Sequence, residues 1–385
     1  MNKQLVLYKF LDRLLSIFIS LVPPKKNITK TAPKKILVIK LSAMGDCISL
    51  FPSIRMLSAA LPETRIEWLT SERSNPSLFF NLHFIDETHV LPRGIIKTII
   101  YLLKFMIKSR GYDLIIDYDQ YYRVSELISS FGMRSAGFHA PLKGNSFDIY
   151  KDYEPKLNEK LMFKELTEQI LRFYEKLIPH YHYSLPELVD SQVISIKALE
   201  FSATLKSETL PVVAVYPGSS MNASFRRWPI ENYIDLADRM HGLVTVVFVG
   251  GKDEENLIPD LKSAKIKYIA INKFSLVDLL WLFSSTIDAV IGNDGGVLHL
   301  AESQNVPICG IFGPALYQKW GSINPSSKNV EIDLPCRPCL QNYNGIVPNQ
   351  CPLGTIKCLK SIDVSMVEVE ARKIIESITM KASYV

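Results

Sequence analysis

Residues 34–62 read KKILVIKLSAMGDCISLFPSIRMLSAALP. The β-branched run Ile36–Ile39 reads as a buried strand, the small residues after it as a turn, and the spaced apolar residues that follow as a helix. Similar units recur along the chain. Arg65–Leu69 precedes a Ser/Asn/Pro-rich loop, a basic and apolar helix follows at 95–108, and Asp113–Ile116 precedes a polar turn. Residues 139–200 are polar and helical with few strand signals. A second series then runs Val212–Tyr216, Val244–Val249, Ile266–Ile271, Ala289–Ile291 and Ile308–Phe312, with helices between. Alternating strands and helices predict an α/β protein of two doubly wound, Rossmann-like lobes with a cleft between them. The expected boundary lies near 195–210, giving segments 1–33, 34–200 and 201–385.

The composition agrees with this division. The chain has 385 residues, 47% of them hydrophobic and 22% charged, which excludes a disordered or fibrous protein and allows two cores. Lys and Arg number 44 against 39 Asp and Glu, a net charge of +5. That balance is far from the clustered basicity of a nucleic-acid binder, so no nucleic acid is expected as partner, and it suits an anionic ligand or membrane surface.

Residues 5–22 (LVLYKFLDRLLSIFISLV) place Leu7, Leu11, Leu14, Phe18 and Leu21 on one helical face. The uncharged stretch from Leu14 to Val22 is too short to span a bilayer. An acidic residue inside the apolar part and the lack of a small-x-small site before Pro23 argue against a cleaved signal. Two readings stand side by side. The helix lies in the membrane interface with Lys25, Lys26, Lys30, Lys34 and Lys35 toward anionic lipid, or it packs on the protein's own surface.

In open α/β sheets ligands sit beyond the carboxyl ends of the strands, and three blocks fall there. The first is Ser42-Ala43-Met44-Gly45-Asp46, with Asp46 at a helix start, where its structural reading is an N-cap. The second is Tyr216-Pro217-Gly218-Ser219-Ser220, followed by Arg226-Arg227-Trp228-Pro229. Its hydroxyls, free N–H groups and guanidinium forks suit a diphosphate; its structural reading is a solvated loop with Pro229 opening a helix. The third is Gly292-Asn293-Asp294-Gly295-Gly296, leading to His299. Here glycines open a helix whose N-terminus attracts an anion, while structurally Asp294 caps that helix and His299 packs. Neither GxxxxGK[ST] nor GxGxxG occurs in these loops, which disfavours a P-loop enzyme or a nicotinamide-dependent oxidoreductase.

These blocks, in this order, resemble glycosyltransferase family 9, the ADP-heptose:lipopolysaccharide heptosyltransferases. The resemblance covers roughly 34–375 and rests on ILVIKLSAMGD at 36–46, PGSS at 217–220, RRWP at 226–229 and GNDGGVLHLAE from Gly292. It implies a GT-B fold, with the acceptor held by the N-terminal lobe and a nucleotide sugar, ADP-heptose or a relative, by the C-terminal one. Asp46 matches the catalytic aspartate, implying a general base in an inverting transfer to a lipopolysaccharide core or other lipid-linked glycan. No cofactor is implied for catalysis, because side chains and helix ends stabilise the leaving diphosphate. Met44, Gly45, Ser219, Ser220, Arg226, Asp294, Gly295, Gly296 and His299 match donor-binding positions, and Glu254 and Phe274 fall near those holding base and ribose. Arg226 stands where the family usually has lysine. In the acceptor lobe the family's IDLQGLLR is IDYDQYYR at 116–123, which leaves Asp119 and Arg123 as acceptor candidates. The implied location is peripheral, on the inner face of the cytoplasmic membrane. A non-catalytic nucleotide-sugar-binding module of the same fold is the alternative.

Cys336, Cys339, Cys351 and Cys358 form C-x2-C-x11-C-x6-C. Four thiols in so short a stretch suit a structural zinc site, with reduced packing cysteines, a disulfide or an iron–sulfur site as the other readings. Cys47 and Cys309 follow strands and read as core residues.

Overall fold

A computed structural model describes residues 30–382 except 42, 121, 144–145, 191–192 and 220. The amphipathic segment 5–22, Lys25, Lys26 and Ser220 lie outside the described residues. Among those described, no helix is long and apolar enough to cross a membrane.

The chain divides into two units. The first comprises residues 1–182 with 341–346, and the second 183–340 with 347–385. The division falls ahead of the boundary expected near 195–210, and a short excursion, Gln341–Ile346, returns to the first unit.

The first unit is a six-stranded parallel sheet in the order β3-β2-β1-β4-β5-β6. Its strands are β1 (Lys35–Ile39), β2 (Arg65–Ser71), β3 (Glu87–Leu91), β4 (Leu114–Asp117), β5 (Ser135–His139) and β6 (Ile149–Asp152). Helices α1 (Met44–Ala60), α2 (Ile95–Ser109), α3 (Arg123–Ser130) and α4 (Glu159–Phe173) cover it. A parallel sheet is covered on both faces, which is why Ile36, Leu37, Val38 and Ile39 are all fully buried. α1 packs against α4, and Phe51 of α1 fills the space against Trp68 and Phe79 with ring centroids 5.0 and 4.7 Å away. β6 lies inside the stretch read as having few strand signals. Its four residues alternate in exposure at the sheet edge, so tertiary pairing with β5 makes the strand where local pattern does not.

The second unit repeats the plan in the order β12-β11-β10-β7-β8-β9. Its strands are β7 (Val212–Tyr216), β8 (Thr245–Gly250), β9 (Tyr268–Ile271), β10 (Ala289–Asn293), β11 (Ile308–Ile311) and β12 (Lys328–Val330), all parallel. Helices α5 (Ile196–Lys206), α6 (Ile230–Arg239), α7 (Leu276–Ser285), α8 (Gly296–Ser303) and α9 (Val364–Ala382) flank them. Pro229 is the N-cap of α6. One core joins Val213, Phe248, Ile291 and Ile311 of the sheet to Leu236 of α6 and Val367 and Ile374 of α9.

In each sheet the strand order reverses once, between β1 and β4 in the first and between β7 and β10 in the second. At such a point the outgoing connections diverge to opposite faces and leave a crevice beyond the strand ends. Both sequence blocks that follow β7 and β10, and the one that follows β1, emerge there.

Candidate functional site

In the first unit a buried charge network lies just beyond the ends of β1 and β4. Lys40, immediately after β1, is completely enclosed; its ammonium donates to Gln120 Oε1 at 2.9 Å and to the Tyr118 carbonyl at 3.5 Å. It faces Asp119 Oδ1 at 3.4 Å and Asp46 Oδ2 at 4.0 Å. Asp46 is the third residue of α1, not its N-cap. From there its carboxylate accepts the Ala43 N–H at 3.0 Å, so it still satisfies a helix-start donor while its side chain stays 17% exposed. Beyond Lys40, Asp117 pairs with Lys143 at 2.6 Å, both fully buried, and accepts from the Ser125 hydroxyl at 2.8 Å. Glu159 of α4 accepts from Gln120 and, at 2.7 Å, from the Tyr153 hydroxyl.

Asp46, Asp117, Asp119 and Glu159 thus share the ammonium groups of Lys40 and Lys143. Burial pushes the Asp46 carboxyl above its usual range, and the neighbouring Glu159 and Asp119 add to this against the pull of Lys40 and the Ala43 N–H. Asp117 and Asp119 are raised by burial in the same way. Burial opposes the charge on Lys40, yet Asp119, Asp46 and Glu159 outweigh it and hold the amine firmly protonated. A carboxylate with a raised pKa, partly open to solvent and fixed at a helix start, suits proton abstraction.

The acceptor candidates separate. Asp119 is fully enclosed, with its carboxylate accepting the Leu41 N–H at 2.9 Å and facing Lys40. That geometry ties the loop before Asp46 to the end of β4. Arg123, in the first turn of α3, is half-buried and donates from Nε to the Leu142 carbonyl at 2.8 Å. Met44 and Gly45 form the first turn of α1, also half-buried.

In the second unit Asn293, at the end of β10, ties the blocks together. Its Oδ1 accepts the Trp228 N–H and the Tyr233 hydroxyl, each at 2.9 Å, and its amide donates to the Pro217 and Gly218 carbonyls at 2.8 and 3.1 Å. Arg226 forms an ion pair with Asp294. Its Nε is buried and has no hydrogen-bond partner among the described residues, an unsatisfied donor beside the ion pair. Arg227 turns inward instead, to Glu254 Oε1 at 2.9 Å and the Ser219 carbonyl at 2.6 Å. Glu254 is 2% exposed, also accepts the Gly251 N–H at 2.9 Å, and is raised by burial. A Cβ on Gly218 would lie 2.4 Å from the Glu254 carboxyl carbon, so a larger residue there would displace the Glu254 side chain. Ser219 is buried, its hydroxyl donating to the Ala223 carbonyl at 2.9 Å.

Asp294, Gly295 and His299 line one small pocket with Glu302, Phe312 and Trp320. Gly295 caps α8 and Gly296 starts it. Phe274 lies past edge strand β9, packed on Phe201 with ring centroids 5.1 Å apart, and takes no part in the Arg226–Asp294 grouping. Sequence reading passed over Lys40, Asn293 and Lys143. The signal for Lys40 was a lone charge inside the apolar run ILVIKL, and for Asn293 a polar residue between strand and Asp-Gly-Gly; Lys143 had no signal, since only folding carries it to Asp117.

Cys47 and Cys309 are core residues, as expected, and none of the six cysteines forms a disulfide among the described residues. Cys336 is exposed, Cys339 and Cys351 half-buried and Cys358 buried. The four thiols of the cluster interact electrostatically. Burial works against the Cys351 thiolate, but the N–H groups of Ile356, Leu353, Thr355 and Gly354 outweigh it and lower its pKa. The donor set is that of a tetrahedral thiolate site. Its spacing is not closed around an ion: among the described residues only Glu67, Glu87 and His89 bring three ligand atoms within 4.8 Å of one another.

Comparison with known proteins follows the same lines. The sequence model of glycosyltransferase family 9 (heptosyltransferase) matches residues 103–346. Lipooligosaccharide heptosyltransferase 2 of Campylobacter jejuni subsp. jejuni serotype O:2 is 27% identical over 176 residues, 43% of this chain and 51% of that protein. The chain therefore spans about half the length of the first curated relatives it matches. Among solved structures, a family 9 glycosyl transferase from Veillonella parvula superposes with a TM-score of 0.68 at 20% identity, covering 91% of this chain and all of that one. Escherichia coli heptosyltransferase WaaC with ADP superposes at 0.60 and 16% identity, covering 88% of this chain and 99% of that one. At these identities the likeness concerns the fold.

Proposed function

The chain belongs to glycosyltransferase family 9, the heptosyltransferase family, and from that premise we propose that it transfers heptose or a related sugar from an ADP-sugar to a lipid-linked glycan such as a lipopolysaccharide core, at the inner face of the cytoplasmic membrane. The observation that carries the reading is Asp46: a partly exposed carboxylate, raised by burial, fixed by the Ala43 N–H and standing 4.0 Å from a buried ammonium.

In this reading Asp46 takes the proton from the acceptor hydroxyl as its oxygen forms the new bond to the anomeric carbon. The bond from that carbon to the diphosphate breaks, and the product has inverted configuration. The electron pair leaves with the nucleoside diphosphate, whose growing charge needs fixed cations or dipoles. Arg226 supplies a guanidinium, and the N-terminus of α8, capped by Gly295 and opened by Gly296, supplies a positive dipole end. Asp294 orients Arg226, while Arg227, Glu254 and Ser219 hold the loop after β7 in shape. These groups supply the stabilisation without a divalent metal. The sugar is assigned to the segment that carries Asp294 and His299, with Phe274 left to the base or ribose. The four cysteines, by their donor chemistry, suit a structural metal that takes no part in these steps.

Isothermal titration with ADP, UDP, GDP and ADP-heptose in the presence of a chelator tests the donor. Selective binding of ADP and its heptose conjugate supports the reading. Preference for another nucleotide removes heptose from it, and no binding to any of them removes nucleotide-sugar transfer.

A further inference from the structure

Helix α2 is apolar on two sides. Phe105, Tyr101, Leu102 and Met106 pack into the core formed with Leu37, Ile39, Leu69 and Ile115. On another side Ile96, Ile99, Ile100, Leu103 and Ile107, at spacings of three and four, form a stripe in water, with Ile96 74%, Leu103 59% and Ile107 70% exposed. A contiguous exposed stripe of this kind marks an interaction surface. Lys97 and Lys104, both exposed, run beside it, and Arg93 and Arg110 flank the ends. No acidic residue occurs between Glu87 and Asp113.

We propose that α2 docks the first unit on an anionic lipid surface, with its isoleucine and leucine stripe in the acyl boundary and its lysines at the headgroups. The proposal deepens the proposed function and rests on its lipid-linked acceptor, which has to be met at a bilayer. Charge decides the occupant. A second copy placed face to face would set the same basic residues against each other. Residues 1–29 of this chain are themselves basic, with Lys3, Lys9, Arg13, Lys25 and Lys26 against Asp12 alone, so they offer the stripe no countercharge either. An anionic bilayer offers both an apolar layer and negative charge. Fifteen helical residues span about 22 Å, short of the roughly 30 Å hydrocarbon core, so the helix lies along the interface.

The test is co-sedimentation of the full chain with vesicles of phosphatidylcholine alone and of phosphatidylcholine mixed with phosphatidylglycerol. Binding is expected to the mixed vesicles and to weaken with salt. Ile96→Ser/Leu103→Ser/Ile107→Ser and, separately, Lys97→Gln/Lys104→Gln are each expected to lower partition about tenfold or more, with ADP affinity and melting temperature unchanged. Absence of vesicle binding overturns the proposal. So does full binding by both variants, which moves lipid affinity elsewhere in the chain, or a dimer in solution that the triple substitution dissociates, which gives the stripe to a second copy. Failure of the wild-type chain to bind any nucleotide overturns the transferase reading and leaves the vesicle result standing on its own.

Discussion

Lys40 Nζ and Asp46 Oδ2 stand 4.0 Å apart, the lysine completely buried and the aspartate side chain partly exposed. This pair couples the end of the first strand to the start of the first helix, and it sets the charge of the residue proposed as base. Asp46→Asn keeps the shape and the contact with Ala43's backbone region while removing the proton acceptor. Turnover is expected to fall about 10²–10⁴-fold, with ADP affinity by titration unchanged. Near-normal turnover would remove Asp46 from its role.

The same pair predicts a pH profile. Asp46 acts deprotonated, and burial raises its pKa, so activity rises as pH rises through that value and is lost below it. Lys40 pulls the value down. In Lys40→Met the acid limb of kcat/KM moves to higher pH, because one attraction for the carboxylate is gone. The variant also leaves Asp119 buried without its cation, at a cost of about 3–5 kcal/mol. Denaturant melts read the second effect and pH–rate curves the first.

Arg226 is expected to carry the diphosphate. Arg226→Ala should weaken ADP binding about ten- to hundredfold, the range for a lost charge-assisted hydrogen bond. Arg226→Lys restores the charge but not the fork that pairs with Asp294, so affinity returns in part. Equal affinity in all three proteins would place the diphosphate elsewhere.

Glu67 is the stability switch of the first sheet. Burial alone would raise its pKa, but Arg65, Tyr112, His89 and Lys35 outweigh this and hold it well below the ordinary value of 4.5. His89 Nε2 lies 2.7 Å and Lys35 Nζ 3.0 Å from its carboxylate. Its contribution is fully present above pH 4.5 and is lost as pH falls below that toward the folded value. Thermal melts of Glu67→Gln and wild type should differ most at neutral pH and converge in acid.

The cysteine cluster is expected to hold about one zinc or iron per chain by elemental analysis, since four thiolates form a complete donor set. In metal-free protein Cys351, whose thiol is acidified by four backbone N–H groups, should alkylate before Cys339 and Cys358. Metal-free protein that melts and binds ADP like the isolated form would leave the cluster without a structural role.

Much of this was legible in sequence because it is local. Strand runs such as Ile36–Ile39 and Val212–Tyr216 carry their own pattern, as does the basic and apolar helix over 95–108, and the three candidate blocks follow strands. Other features were hidden because distant chain makes them. Edge strand β6 exists through pairing with β5, and Lys143 acquires meaning only beside Asp117. Asp119 carried no sign in the sequence of its burial against Lys40, which only the fold brings about.

The amino-acid sequence by itself determined the family, the alternation of strand and helix, and the residues at strand ends, since all three are written in short-range pattern. Tertiary structure alone decided which of those residues share a charge. Strand order brings β1 beside β4 and β7 beside β10, and ion pairs act over a few ångströms of space whatever the separation along the chain. The exposed stripe of α2 was likewise undecided until the sheet took one face of the helix and left another in water.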